Sequence, residues 1–128
     1  MRKATVRLQL ILLGAVIVTA CDSSPLVAPI GSTISIFSTT TALAPGGTAE
    51  ISAIVIEEAG TPVHDGTVVR FSATLGTVNP VEVETHDGVA VTMFTAGSQT
   101  GTAQIAATSG GALTGPEAPN VIDITIAN

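Results

Sequence analysis

The sequence lacks tryptophan and tyrosine, and it has a single cysteine among its 128 residues. One cysteine cannot pair within the chain, so the fold must be stable without the constraint of an intramolecular disulfide. Nucleic-acid bases stack on aromatic side chains, and carbohydrate-binding β-sandwiches usually present exposed tryptophan or tyrosine. The absence of both residue types therefore argues against either ligand.

Basic residues are scarce, and their distribution is uneven. Three of the four Lys and Arg residues lie within the first seven positions, and Arg70 is the only one after Cys21. All ten acidic residues follow that cysteine, so the side chains of residues 21–128 sum to +1 − 10 = −9. Because binding to a phosphate backbone requires clustered Lys and Arg, we expect no nucleic-acid partner.

The first twenty residues have the features of an export signal. A basic start precedes an apolar run at residues 8–20, which is shorter than the about 20 residues that a membrane-spanning helix needs. The run ends in Val18-Thr19-Ala20-Cys21. This resembles the bacterial lipobox, in which an aliphatic residue, a small residue and Ala or Gly precede a cysteine. The resemblance implies cleavage before Cys21, lipidation of its thiol and attachment to membrane lipid through the acylated residue.

These features divide the chain into three parts. We expect a lipoprotein signal peptide at residues 1–20, lipidated Cys21 with a short tether at residues 21–31, and one domain at residues 32–128. The alternatives are an ordinary cleaved signal that leaves a free thiol and an uncleaved anchor. The expected location is the bacterial cell envelope, outside the cytoplasm. Asp22 resembles an inner-membrane retention signal of enterobacteria, but the sequence leaves open which membrane holds the anchor.

From Ser32 onward, apolar residues alternate with polar ones at the period of a β-strand. Ile34 and Ile36 share one face, with Phe37 on the other, and Val69 and Phe71 share a face further along. Seven or eight short strands, separated by Gly- and Pro-containing turns, predict an all-β fold, either an antiparallel sandwich or a barrel. Its length is that of an immunoglobulin-like sandwich. We expect the three phenylalanines to be the largest side chains of its core.

The tripeptide His-Asp-Gly occurs twice, at residues 64–66 and 86–88, and contains both histidines of the chain. Asp-Gly favours turns because both residues tolerate positive φ, and each copy stands before a strand that ends in phenylalanine. We therefore interpret both as turns with solvated side chains. Because successive turns of a meander alternate between ends of a sheet, we expect the two copies to lie apart.

The region from Gly46 to Gly110 resembles the group 1 bacterial immunoglobulin-like domains of invasin and intimin. The resemblance rests on an ordered set of short motifs: Gly60, Pro62 and Val63; Gly66, Val69 and Phe71; Leu75 to Val78; Thr85, Asp87, Gly88 and Ala90; and Ala96 to Ala106. It implies an immunoglobulin-like β-sandwich without a disulfide, acting as a spacer or adhesive unit of envelope proteins, with no catalytic residue. It also favours Ala90 and Phe94 as inward-facing, where periodicity leaves Val91 and Met93 as competitors.

Two sets of side chains could bind a metal ion. His64, Asp65, His86 and Asp87 are suitable zinc ligands, but their predicted separation favours solvated turns. Calcium requires six to eight oxygen ligands, and no calcium-loop motif is present. The candidates for calcium are the acidic residues at the turns and edges: Glu57, Glu58, Glu82, Glu84 and Asp87.

No pattern in the sequence indicates a nucleophile or a pair of catalytic carboxylates, so we expect no enzymatic activity and no cofactor. The predicted function is that of a lipid-anchored structural, protein-interaction or adhesion module, whose partner is another envelope or surface protein. The alternative is a module that binds calcium or a small molecule through its acidic turns.

Overall fold

The computed structural model describes residues 24–114 and 121–128, and the side chains of Leu113 and Thr114 lie outside what it describes. The predicted signal peptide and Cys21 also lie outside the described residues. The described residues form ten strands and no helix, so no described helix is long and apolar enough to cross a membrane. The strands are β1 (Thr33–Ser38), β2 (Ala42–Leu43), β3 (Thr48–Ile56), β4 (Val68–Ala73), β5 (Thr77–Asn79), β6 (Glu82–Glu84), β7 (Val89–Thr95), β8 (Gly101–Thr108), β9 (Leu113–Thr114) and β10 (Val121–Ile126).

The strands form two five-stranded sheets. The first has the order β5-β7-β3-β1-β9, and the second has the order β2-β10-β8-β4-β6. The chain crosses from β5 in the first sheet to β6 in the second at the cis Asn79–Pro80 bond. The prediction of an all-β sandwich without a disulfide is confirmed.

The strand count exceeds the prediction because three short strands were missed. Strands β2 and β9 have two residues each and β5 has three, which is too short to show alternation. The antiparallel prediction holds for the longer strands, but β9 pairs with β1 and β2 pairs with β10 in parallel. These short strands lie at the sheet edges, and short edge strands offer little template for pairing with another chain.

Aliphatic side chains from alternate positions fill the space between the sheets. In β3 the buried positions are Ala49, Ile51, Ala53 and Val55, each no more than 2% exposed. Phe71 of β4 and Phe94 of β7 are the largest fully buried side chains, and the burial of each stabilises the fold by about 1.5–3 kcal/mol. The inward positions favoured by the family resemblance are also confirmed, because Ala90 is 1% exposed whereas Val91 and Met93 are each 43% exposed.

The expectation that all three phenylalanines belong to the core is wrong for Phe37. Its neighbours Ile34 and Ile36 point inward along β1, so strand geometry turns Phe37 outward, where it is 54% exposed. The period-two pattern had already placed it on the outer face. The chemical character of a residue type was therefore a weaker guide than its position in the strand.

The registers fix the direction of each strand and therefore the two ends of the sandwich. In the first sheet β1 and β7 both start where β3 ends, and in the second sheet β4 and β10 both start where β8 ends. Strand β9 follows β8 directly and pairs with the start of β1, so these four strands start at the same end of the sandwich. Strand β10 finishes at the opposite end, where Ile126 pairs with Gly101. We call these the near end, at which β1 begins, and the far end, at which the chain stops.

Candidate functional site

Both His-Asp-Gly tripeptides lie at the near end, where they form two different turns. In the second copy, Asp87 and Gly88 have φ values of 52° and 79°, and His86 and Val89 exchange both backbone hydrogen bonds, at 2.9 and 3.0 Å. This is a two-residue hairpin turn of the type that Asp-Gly favours. In the first copy only Gly66 has positive φ, at 88°, and Thr67 N–H donates to the His64 carbonyl, as in a type II turn.

The two turns contact each other, which corrects the expectation that they lie apart. Asp65 Oδ1 accepts a hydrogen bond from the Asp87 backbone N–H at 2.8 Å, and Asp65 Oδ2 lies 3.1 Å from His86 Nδ1. The expectation was wrong because another turn, at residues 74–76, lies between them along the chain. The two copies are therefore alternate turns, and alternate turns return to the same end of a sandwich.

Two buried threonines join the turns from below. Thr67 and Thr85 are 1% and 3% exposed, and their hydroxyls both donate to the His64 carbonyl, at 2.6 and 3.0 Å. The Thr85 hydroxyl also accepts from Thr67 N–H at 3.2 Å. Because both threonines are buried, these bonds are partly shielded from competing water, and they hold the backbone of the first turn in a fixed position against the second.

The side chains above this network form the one group of three or more metal-ligating residues among residues 24–114 and 121–128. Asp65, His86 and Asp87 each offer one ligand atom, and these atoms lie within 4.8 Å of one another. The His86 and Asp87 side chains are 82% and 86% exposed. His64, the other histidine of the predicted zinc set, does not join the group. All three were candidate ligands in the sequence, but their proximity was not predicted.

The acidic residues considered for calcium are not gathered in one place. Within the described residues, only Asp87 of that set belongs to a group of possible ligands. Glu82 instead pairs with Arg70 at 3.2 Å on the outer face of the second sheet. Both side chains of this pair are more than half exposed, so its contribution to stability is at most about 1 kcal/mol.

A segment before β1 also shapes the near end. Residues 26–30, which we call the strap, pass across the near end from the second sheet to the first. Val68 N–H donates to the Leu26 carbonyl at 2.7 Å, and Gly111 N–H donates to the Ala28 carbonyl at 2.9 Å. Ala28 itself is 3% exposed and belongs to the hydrophobic core.

Ser109 fixes the strap to the second sheet. Its hydroxyl donates to the Val68 carbonyl at 2.6 Å and accepts from Ala28 N–H at 3.2 Å. This contact was not predicted, because residues 21–31 were expected to form a short tether outside the domain. The outward side chains of the strap are apolar: Leu26 and Val27 are 48% and 46% exposed, and Ile30 is 90% exposed.

A second apolar surface lies on the outer face of the first sheet. Phe37, Val91 and Met93 are 54%, 43% and 43% exposed, and the registers place Phe37 and Val91 on either side of Ser52. We call these three residues the apolar face. The outer face of the second sheet is more polar: it carries Arg70, Gln104 and Asp123, together with the exposed Val121.

Comparison with known proteins identifies the fold. No family model and no curated protein matches the chain, but solved structures do. The D00-D0 domain of intimin superposes with a TM-score of 0.61 at 13% identity, over 78% of this chain and 50% of that one. The D0-D1 domain of intimin gives 0.57 at 17% identity, over 75% and 46%. The adhesin InvE of Yersinia pseudotuberculosis gives 0.56 at 25% identity, over 76% and 27%.

The described residues therefore form an immunoglobulin-like β-sandwich. The chain covers half or less of the length of each of these three structures. These matches to domains of intimin and InvE agree with the resemblance to group 1 bacterial immunoglobulin-like domains that the ordered motifs of the sequence indicate.

Proposed function

We propose that this chain is a lipoprotein of the bacterial envelope that displays one immunoglobulin-like domain as a protein-interaction or adhesion module, and that it is not an enzyme. The solved structures similar to it include adhesin domains. The observation that carries the proposal is the apolar face, because exposed apolar residues grouped on one side of a soluble domain mark an interaction surface.

The position of the apolar face suits contact with another protein. It lies on the sheet surface formed by β1, β3 and β7, and Glu50 is the only charged residue in the described strands of this sheet. A partner therefore has fewer charges to remove from water on this side than on the second sheet, whose strands carry Arg70, Glu82, Glu84 and Asp123. Phe37 and Met93 are the side chains best suited to fill pockets of a partner, since aromatic residues and methionine are enriched in interfaces.

Site-specific photocrosslinking in intact cells tests this surface. A photoreactive amino acid at Met93 should give a discrete crosslinked product, whereas the same amino acid at Gln104, which is exposed on the opposite sheet, should not. The product should disappear when Phe37→Lys is added to the Met93 variant. Equal crosslinking from both positions would show that the apolar face has no dedicated partner.

The proposed anchor is tested separately by metabolic labelling with palmitate. The wild-type chain should incorporate the label, and the Cys21→Ser variant should not. Label that persists in the variant would exclude acylation at the lipobox cysteine. Detergent partitioning of the two proteins provides the matching physical measurement, because acyl chains attach a protein to a membrane through about 0.8 kcal/mol per buried CH₂.

A second candidate function is divalent-cation binding, which is favoured by the convergence of Asp65, His86 and Asp87. One imidazole and two carboxylates match zinc better than calcium, because calcium takes six to eight oxygens. Zinc titration followed by NMR should then perturb the His86 ring and the Asp87 amide together, and the His86→Gln variant should lose the response. The His64→Gln variant serves as the control, since His64 lies outside the group.

A further inference from the structure

The strap forms the near-end surface of the domain, and it lies close in sequence to the proposed site of lipidation. The distance along the chain from Cys21 to Leu26 is 26 − 21 = 5 residues. A fully extended chain covers at most about 3.6 Å per residue, so Leu26 lies within about 18 Å of the Cα atom of Cys21. From Leu26 onward the backbone is fixed to the sandwich by hydrogen bonds to Val68 and Ser109.

This short connection restricts which surface of the domain meets the membrane. Acyl chains on Cys21 lie in the hydrocarbon, and the polar headgroup region on each side of it is only about 5–8 Å thick. The near end is therefore held next to the headgroups. The far end, with the turn at residues 96–100 and Asn128, lies at the opposite end of the sandwich and in this arrangement would point away from the membrane.

The side chains that the strap turns outward suit this location. Ile30 is the most exposed of the large hydrophobic residues in the described ranges, at 90%, and Leu26 and Val27 are each nearly half exposed. The strap contains no charged residue. Its backbone is nevertheless ordered by packing of Ala28, so these apolar side chains are presented outward by a fixed structure.

The acidic residues beside the strap do not prevent such a contact. Glu57 and Glu58 line one hollow together with Pro29 and Ile30, and both can stay in the hydrated headgroup layer while the isoleucine reaches deeper. Because these carboxylates would be repelled by anionic lipid, the surface is better matched to a membrane rich in zwitterionic phospholipid.

We propose that the strap is a membrane-contact surface: Leu26, Val27 and Ile30 lie at the lipid headgroups, and the domain stands on its near end. This inference rests on the proposed lipidation of Cys21. It leaves the apolar face, on the side of the sandwich, free for a protein partner.

The absence of tryptophan and tyrosine provides a direct test. A single tryptophan placed at Ile30 is the sole tryptophan of the lipidated full-length chain, and Ser98→Trp at the far end is the matched control. Both proteins are reconstituted in phosphatidylcholine vesicles, with or without bromine on the acyl chains, which quenches nearby tryptophan. Ile30→Trp should emit at a shorter wavelength than Ser98→Trp, since tryptophan side chains settle at the membrane interface. Its fluorescence intensity should be lower by a factor of about two or more in brominated vesicles than in vesicles without bromine.

The control has the same intrinsic preference for the interface, so a difference between the variants reports position alone. Equal quenching of Ile30→Trp and Ser98→Trp in palmitate-labelled protein would overturn the orientation and leave the lipoprotein proposal intact. A chain that incorporates no palmitate would overturn both. Adding Val27→Asp to Ile30→Trp should weaken the quenching while palmitate labelling stays unchanged, and unweakened quenching would mean that the strap side chains do not make the contact.

Discussion

Gly76 lies between β4 and β5 with φ of +78°, and the space for a side chain at this position is already occupied. A Cβ atom built there would lie 2.7 Å from two ring carbons of Phe94 and 2.7 Å from the Thr95 carbonyl oxygen. Since the ring is fully buried and the carbonyl belongs to the backbone of β7, neither can move freely. We expect Gly76→Ala to be strongly destabilising.

The magnitude follows from two separate costs. An L-residue in the left-handed region costs roughly 1–2 kcal/mol, and an added methyl group in a packed core costs about 1–3 kcal/mol. The expected loss is therefore about 2–5 kcal/mol, a large fraction of the roughly 5–15 kcal/mol by which a domain is stable. Gly46 provides the matched control, because its φ is +81° and no heavy atom lies within 4 Å of its Cβ position.

Urea unfolding of the chain without residues 1–20 and with Cys21→Ser, followed by circular dichroism, measures both variants. Gly46→Ala should show only the backbone cost, and the effect of alanine on the unfolded chain cancels between the two. Gly76→Ala should cost less in a Phe94→Leu background than in the wild-type background, because the smaller side chain removes the ring contact but not the contact with the Thr95 carbonyl. Equal losses in Gly76→Ala and Gly46→Ala would refute the steric explanation.

Two further predictions concern the near end. Ser109→Ala leaves the Ala28 N–H and the Val68 carbonyl without their shared partner, so the free energy of unfolding should fall by about 1–3 kcal/mol in the same assay. The exposed Ser98→Ala variant is the control and should change it little. Similar effects of the two substitutions would mean that this hydroxyl does not hold the strap. Asp65→Ala should accelerate hydrogen exchange of the Asp87 amide, measured by NMR, because the amide loses its acceptor. Asp65→Asn keeps an acceptor oxygen and should preserve part of the protection. Unchanged exchange in the alanine variant would show that the turns do not depend on this contact.

Most of the sandwich was predictable because its strands are long enough to show alternation. In β3 and β4 the burial of every second residue follows the sequence pattern directly. The ordered family motifs added what periodicity could not decide in β7, where Ala90 and Phe94 compete with the similarly apolar Val91 and Met93. The two-residue strands β2 and β9 carry no such pattern, and tertiary pairing alone defines them.

The near end was less predictable because its contacts join residues that are distant in sequence. Asp65 meets His86 and Asp87 because, between the two turns, the chain runs to the far end along β4 and returns to the near end along β6. Ala28 is buried only because the Ser109 loop, 81 residues later, provides a hydroxyl at the right place. No local pattern indicates either contact. The turn side chains are exposed as predicted, but the sequence predicted neither that the two turns meet nor that part of the tether packs on the sandwich.

The directions of β1 and β10 have a mechanical consequence. Both strands run from the near end to the far end, in opposite sheets. A force that pulls the chain before β1 away from the chain after β10 would act on these two strands along their length, against the neighbours β3 and β8 to which they are hydrogen-bonded. Under such shear the ladder bonds bear tension together rather than opening one at a time, so the domain is oriented to resist stretching between its two ends.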